Sequence, residues 1–250
     1  MTPAALGAEN MALDEALMER ARTSGEWVAR VYTWSRPTIS LGRNQTAVGR
    51  YDLERIRALD IDVVRRPTGG RAILHDREIT YSVTAPDAES GDLRQSYERI
   101  NRLLLTALSL LGIQAAIAAP SKRAAFPGMA PCFDEPSAGE LTLDGRKLAG
   151  SAQWRSEGAL LQHGSILIED DQSLLATLAR ERGAPIPSPA TLVEALGRVP
   201  TPHDVADALA AAIETREGCR PTPVALDDGV RARASDLVVQ YLDDTWTWRR

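Results

Sequence analysis

Between Cys132 and Gln153 the chain reads CFDEPSAGELTLDGRKLAGSAQ, which holds a thiol, an amine and a run of small residues. Cys132 is a candidate nucleophile, and a nucleophilic thiol needs a neighbouring cation or base to favour the thiolate. Lys147 is the evident source of that cation. Asp144-Gly145 lies between the alternating runs Glu140–Leu143 and Arg146–Leu148. It predicts a hairpin, because Asp-Gly suits a type I′ turn whose two central residues need positive φ. Lys147 sits two residues past the turn. Ala149-Gly150-Ser151-Ala152 follows, and small residues on a strand let a ligand or another backbone come close. A buried small hydrophobe is the ordinary role of a free cysteine. Cys132, however, lies between Pro131 and a Phe-Asp-Glu-Pro loop, outside any apolar periodic segment.

Of the 29 basic residues only Lys122 and Lys147 are lysines. A lysine kept in an arginine-rich chain points to a compact charge or a titratable amine that Arg cannot supply. Lys122, in the loop-like Pro120-Ser121-Lys122-Arg123, is read as incidental. A second constellation is RRPTGGRAILHD, Arg65–Asp76. Gly69-Gly70 lets the backbone turn sharply beside a ligand. Arg66 and Arg71 bracket the pair and suit a carboxylate, phosphate or carbonyl, although a tight turn with solvated arginines is an equal reading. The stretch matches neither the P-loop nor GxGxxG. His75 precedes Asp76, and His163 interrupts an apolar run; each is a cleft-facing residue or a satisfied buried histidine. Three histidines without ligand spacing argue against a metal. Cys219 has no accompanying motif.

The elements that must position these groups come next. Asn10–Arg22 reads as an amphipathic helix ended by Gly25. Trp27–Trp34, Thr38–Leu41, Ile61–Arg65, Ala72–Leu74 and Glu78–Ala85 read as strands, with a short helix over Asp52–Leu59. Leu93–Leu111 has the clearest 3.6 period and is capped by Gly112. Ile113–Ala118 reads as a strand and Ser121–Met129 as a loop. Ala159–Leu161 and Gly164–Ile168 read as two strands. From Gln172 helices dominate: Gln172–Arg182, Ala190–Leu196, Pro202–Thr215 and Asp227–Leu242, with Ala184–Pro189 as a linker. Strand runs followed by helix runs argue an α+β fold. The 250 residues carry a net charge of −5, with 44% hydrophobic and 25% charged residues. That is an ordinary globular composition with no global case for nucleic acid. No stretch approaches the roughly 18 apolar residues of a membrane span, and the first residues do not read as a signal peptide. Two cysteines without a CxxC pair suit a reduced, cytoplasmic compartment.

Taken together these residues resemble the lipoate–protein ligase, octanoyltransferase and biotin–protein ligase superfamily, over roughly the first 170 positions. The matching segments are Asn10-Met11-Ala12-Leu13-Asp14-Glu15, Trp34, Ser40-Leu41-Gly42-Arg43-Asn44-Gln45, the Arg65–Asp76 loop, Gly145–Gln153 and His163-Gly164. The resemblance implies a mixed, largely antiparallel sheet flanked by helices, of the class II aminoacyl-tRNA synthetase-like type. It implies an acyltransferase core over 1–170 with a helical segment over 171–250 packed on it. Arg71 stands where lipoate ligases typically carry a third glycine, and Cys132 precedes Glu140-Leu141; both look like the thiol-dependent octanoyltransferases. On that resemblance Cys132 is the acyl-thioester nucleophile, and Lys147 favours its thiolate. Arg66, Gly69, Gly70, Arg71, His75, Gly150, Ser151, Ala152, His163 and Gly164 are expected to bind substrate. The implied partners are octanoyl-acyl carrier protein and a lipoyl-domain acceptor, with no cofactor, nucleic acid or membrane, and the chain is expected to be a monomer. Ala138-Gly139 stands where relatives often carry an aromatic, so acyl-chain length stays open. The alternatives are an ATP-dependent lipoate–protein ligase, an octanoyl amidotransferase between lipoyl-bearing proteins, and a non-catalytic acyl-binding relative.

Overall fold

In the computed structural model, residues 1–87, 91–119, 139–181 and 187–249 are described. Cys132, Lys122 and the Ser121–Met129 loop fall outside them, as does the first half of the Ala184–Pro189 linker.

The first helix, α1 (Gly7–Ser24), starts where the Glu9 carboxylate accepts the Leu6 N–H and stops at Gly25 with φ 70°. Strands β1 (Val28–Tyr32) and β2 (Thr38–Leu41) follow, then α2 (Leu53–Ala58), capped by Asp52, and β3 (Asp62–Arg65). Next come β4 (Ile73–His75), β5 (Glu78–Pro86) and α3 (Leu93–Leu110), whose first turn is closed by an Asp92–Gln95 capping box. Strand β6 (Ala116–Ile117) is only two residues long. Strands β7 (Leu141–Leu143), β8 (Arg146–Ser156) and β9 (Ala159–Leu167) precede, among the described residues, five helices. These are α4 (Gln172–Leu178), α5 (Leu192–Leu196), α6 (Pro202–Glu217), α7 (Asp228–Leu242) and α8 (Asp244–Thr247).

The larger sheet has the order β1-β5-β9-β8-β7-β6, and every pair in it is antiparallel. The smaller has the order β3-β2-β4; β2 and β3 run parallel through the α2 crossover, and β4 is antiparallel to β2. The α+β expectation of a mixed, largely antiparallel sheet flanked by helices therefore holds. Asp144 and Gly145 have φ of 51° and 75°, as the Asp-Gly hairpin requires. No helix among the described residues is long and apolar enough to cross a membrane.

The two faces of β5 explain where the core and the site lie. Ile79, Tyr81, Val83 and Ala85 pack with Ile100, Leu104, Leu160 and Leu209 under α3 and α6. Alternation on an antiparallel strand ordinarily leaves its polar face in water. Here Glu78, Thr80, Ser82 and Thr84 are buried too, because α1 and the smaller sheet cover them. Helix α1 in turn packs on α7 through Met11, Leu17, Val230, Leu237 and Tyr241.

Several boundaries differ from the sequence reading. The two strands expected around Gln162-His163 are one strand, β9, because both polar side chains find hydrogen-bond partners inside the protein. Strand β8 runs to Ser156, since its pairing with β9 continues to Ser156↔Ala159. The Ile113–Ala118 strand shrinks to the two residues that pair with β7. Helix α4 stops at Leu178, where the backbone turns extended and Tyr51 bridges Ala179. Helix α8 was not anticipated; one turn carries too little periodicity to read.

Candidate active site

The loop from Arg65 to Arg71 is held from within by its own arginines. Arg65, wholly buried, donates from Nη1 to the carbonyls of Gly42 (2.6 Å) and Gln45 (2.8 Å), and from Nε to that of Thr247 (2.8 Å). Trp246 Nε1 donates back to the Arg65 carbonyl at 2.8 Å. Helix α8 is thereby tied to the loop that follows β2. Arg66 donates from Nη2 to the carbonyls of Gly69 (2.7 Å) and Arg71 (2.8 Å), and from Nη1 to Ser40 O (2.9 Å) and Ser40 Oγ (3.1 Å). Its guanidinium therefore shapes the glycine turn instead of standing as a solvated clamp. Gly70 has φ 97°, and a Cβ on Gly42 would fall 1.9 Å from the Gly70 carbonyl oxygen. These two glycines let β2 and the loop touch backbone to backbone.

Two histidines brace the cavity from the buried polar face of β5 and its neighbours. His75 faces Ser40 Oγ through Nε2 (2.8 Å) and Glu78 Oε1 through Nδ1 (3.3 Å), and stacks on Trp34. Ser40 Oγ already accepts from Arg66, so its own proton goes to Nε2 and the Nδ1–H donates to Glu78. Burial, outweighing the Glu78 contact, pushes His75 below the ordinary histidine range, which agrees with this neutral tautomer. Glu78 also accepts from Thr80 Oγ1 (2.6 Å) and Ser165 Oγ (2.5 Å). The order Ser–His–carboxylate is that of a hydrolytic triad. Ser40 is nonetheless fully buried and its oxygen is occupied by Arg66, so the chain of bonds supports the loop and offers no exposed nucleophile.

The second brace runs through His163. Its Nδ1 meets Asp14 Oδ2 at 3.1 Å and its Nε2 meets Thr68 Oγ1, in the glycine loop, at 2.7 Å. Asp14 also accepts from Arg30 Nη1 (2.7 Å), Tyr32 Oη (2.8 Å) and Ser82 Oγ (2.7 Å). Burial alone would raise its carboxyl; the Arg30 charge and the His163 and Ser82 hydrogen bonds outweigh that and hold it below the ordinary range.

On the far side, Gly164 of β9 backs onto β8 so closely that a Cβ would meet the Gly150 carbonyl at 2.5 Å and Tyr81 at 2.7 Å. The small run on β8 therefore serves both backbone approach and the cavity wall. Tyr81 donates to Ser151 Oγ at 2.7 Å, and Gln162 donates to Tyr81 Oη at 2.9 Å. Lys147 and Glu140 form a buried ion pair, Nζ to Oε1 2.6 Å.

Between these walls lies a cavity of about 390 Å³. It is bordered by Arg66, Gly69, Gly70, Arg71, His75, Gly150, Ser151, Ala152, His163 and Gly164, the ten residues expected to bind substrate. Met11, Trp34, Ile73 and Tyr97 add apolar surface. Glu140 borders the cavity, whereas Lys147 does not. Asn44 and Gln45, quoted only as part of a strand motif, also line it. Cys132, and with it any thiol–amine distance, lies outside the described residues. Cys219 is exposed beyond the Gly218 cap of α6 and does not border the cavity.

The signature of the lipoyl protein ligase A/B catalytic domain matches residues 7–214. The chain belongs to this family. Octanoyltransferase LipM of Kyrpidia tusciae is 39% identical over 259 positions, covering 96% of this chain and 94% of that relative. Octanoyltransferase LipM of Symbiobacterium thermophilum is 40% identical, covering 98% and 95%. Among solved structures, a lipoate-protein ligase A bound with ATP aligns with a TM-score of 0.82 at 19% identity over 99% of each chain. A T. acidophilum protein solved with bound lipoic acid aligns at 0.83 and 19%, over 100% of this chain and 97% of that one. Likeness at those identities speaks for the fold; the activity is carried by the relatives near 40%. In this lipoyl ligase family member the two glycine approaches and the two histidine braces converge on one cavity, which Glu140 also borders.

Proposed function

We propose that the chain transfers an octanoyl group from octanoyl-acyl carrier protein, through a thioester on Cys132, to the lysine of a lipoyl domain. It is an acyltransferase of protein lipoylation, as its LipM relatives near 40% identity are octanoyltransferases. The observation that carries the reading is the cavity itself, bordered by both motif segments. An apolar cavity of ~150 Å³ admits a six-carbon ring, so an eight-carbon chain needs about 200 Å³. The 390 Å³ present leave room for the chain and its carbonyl.

The chemistry balances without ATP. The Cys132 thiolate attacks the donor thioester carbonyl; the new C–S bond forms, the old one breaks, and the carrier thiolate leaves and takes up a proton. The acceptor lysine, having shed the proton of its ammonium, attacks the enzyme thioester. The amide nitrogen loses a second proton as Cys132 departs as thiolate. The acyl carbonyl stays at one oxidation level throughout. On this reading Lys147, buried and paired with Glu140, is the cation that favours the Cys132 thiolate, and Glu140 borders the cavity. A reduced, cytoplasmic setting keeps the thiol available.

Intact-mass spectrometry after incubation with octanoyl-acyl carrier protein should show one octanoyl adduct on the wild type and none on Cys132→Ala. A wild type that stays unmodified, or a variant that still carries the adduct, rejects the Cys132 thioester. Product formed only from ATP and free lipoate would replace it with ligase chemistry.

A further inference from the structure

A line of buried hydrogen bonds behind the cavity has a direction fixed from its far end. The Gly139 carbonyl can only accept, so the Asn101 group 2.5 Å from it is the Nδ2 amide. Asn101 Oδ1 then faces Gln162, which must present its own Nε2, at 3.0 Å. The same Nε2 donates to Tyr81 Oη at 2.9 Å, so both of its protons are committed. The Tyr81 oxygen accepts from Gln162, and its single proton goes to Ser151 Oγ at 2.7 Å. Burial raises the Tyr81 hydroxyl well above its ordinary range, so that proton stays in place. Ser151 ends the line as an acceptor, which leaves its own proton to donate.

We propose that Ser151 gives this proton to the carbonyl oxygen of an acyl chain lying in the cavity. This deepens the proposed function and rests on its reading of the cavity as an acyl site; it does not depend on where the thioester forms.

Ser151 is half-buried and borders the cavity. Among the described residues its Oγ has no hydrogen-bond partner other than Tyr81. Four other hydroxyls that border the cavity give their protons to protein acceptors: Tyr32 to Asp14, Thr80 and Ser165 to Glu78, and Ser40 to His75. Tyr97, from α3, faces the Ser151 carbonyl at 3.5 Å.

The backbone explains why the line can end at this serine. Tyr81, Gly164 and Ser151 are register partners across β5, β9 and β8. A side chain on the middle strand would stand between the outer two. A Cβ on Gly164 would fall 2.7 Å from Tyr81 Cε1 and 2.8 Å from Ser151 Oγ. Its absence lets the phenol reach over β9 to the serine of β8. A carbonyl oxygen under attack gains negative charge, and a donor already held in place stabilises that charge without reorganising.

A serine that merely packs would treat a carbonyl ligand and its carbonyl-free counterpart alike, and this separates the two roles. The probes are ethyl octanoate, an ester that exchanges slowly with thiols, and ethyl octyl ether, which lacks the carbonyl oxygen. Binding is titrated by tryptophan fluorescence, since Trp34 borders the cavity. In S151A the affinity for the ester should fall about two- to ten-fold, as for one neutral hydrogen bond, while the affinity for the ether holds. Equal losses for both ligands, or none for either, overturn the inference.

A second measurement begins with the unaltered protein. Isotope-edited infrared spectra of bound ¹³C=O ethyl octanoate should place the carbonyl stretch below its position in hexane, and S151A should bring it back toward that position. A band at the hexane position in the wild type, or one that S151A leaves unmoved, overturns the inference. If the unaltered protein binds neither probe, the acyl-site reading itself fails and takes this inference with it.

Discussion

Asp14→Asn is the sharpest probe of how the cavity is supported. Asp14 is wholly buried and accepts from Arg30, Tyr32, Ser82 and His163. Removing one partner of a buried ion pair costs about 3–5 kcal/mol, because the other charge is left uncompensated. Arg30 keeps the Asn10 carbonyl (3.2 Å), Asn10 Oδ1 (2.5 Å) and Thr2 Oγ1 (2.9 Å), and Asn preserves the shape. The expected loss is therefore at the low end, ~3 kcal/mol. For a chain of this size that is a fall in Tm of roughly 6–12 °C. Urea unfolding at pH 7 measures it directly, and the double variant with Arg30→Met should lose less than the two single losses added together. A loss below about 1 kcal/mol, or simple additivity, would refute the description of Asp14 as counter-ion to Arg30. The function readout is coupled: His163 loses its acceptor, Thr68 loses a fixed partner, and KM for the acyl donor should rise. The pH dependence has a definite sign. With its carboxyl held below 3.8, Asp14 contributes stability that is present above that value and lost as pH falls through the folded-state value. The Asn variant should lack that acid limb.

Other consequences follow from single residues. Gly42→Ala should give little folded protein, since its Cβ meets the Gly70 carbonyl at 1.9 Å, whereas Gly69→Ala has open space and should melt within about 0.5 kcal/mol of wild type while binding acyl donor more weakly. His75 is buried neutral, its value held below 6.5, so unfolding stability should decline as pH drops from about 6.5, where the unfolded chain takes up the proton first; His75→Gln should flatten that slope in urea titrations between pH 7 and 5. Trp246→Ala removes the Nε1 bond to the Arg65 carbonyl and the edge contact with Tyr241, and should cost about 2–3 kcal/mol by calorimetry.

Local signals served where local physics decides the outcome. Asp144-Gly145 announces its turn by φ preference alone, and the helix read over Leu93–Leu111 declares itself through an amphipathic stripe, although its Asp92–Gln95 capping box was not read. The cavity-bordering glycines were legible because their spacing in RRPTGGR and KLAGSA resembles a known family. Glu140 was not singled out, because its pairing with Lys147 arises only in the folded hairpin, beside a shift in strand register. Asp14 and Glu78 looked like ordinary charged positions on a helix and at a strand end. Their burial depends on α1 and the smaller sheet closing over β5, a packing decision far along the chain. Gln162 and His163 suggested a break in a strand, since polar residues there are satisfied by partners distant in sequence, such as Tyr81, Asn101, Thr68 and Asp14. Cys132 was read from the sequence and stays with that reading.

The bond from Arg65 to Thr247 joins residues 182 positions apart, and this bears on how the protein is made. During synthesis the glycine loop emerges well before its buttress, which follows 182 positions later. A nascent chain can thus build both sheets and still present a slack pocket until α8 arrives. Any change to the residues around Thr247 would press on the same joint.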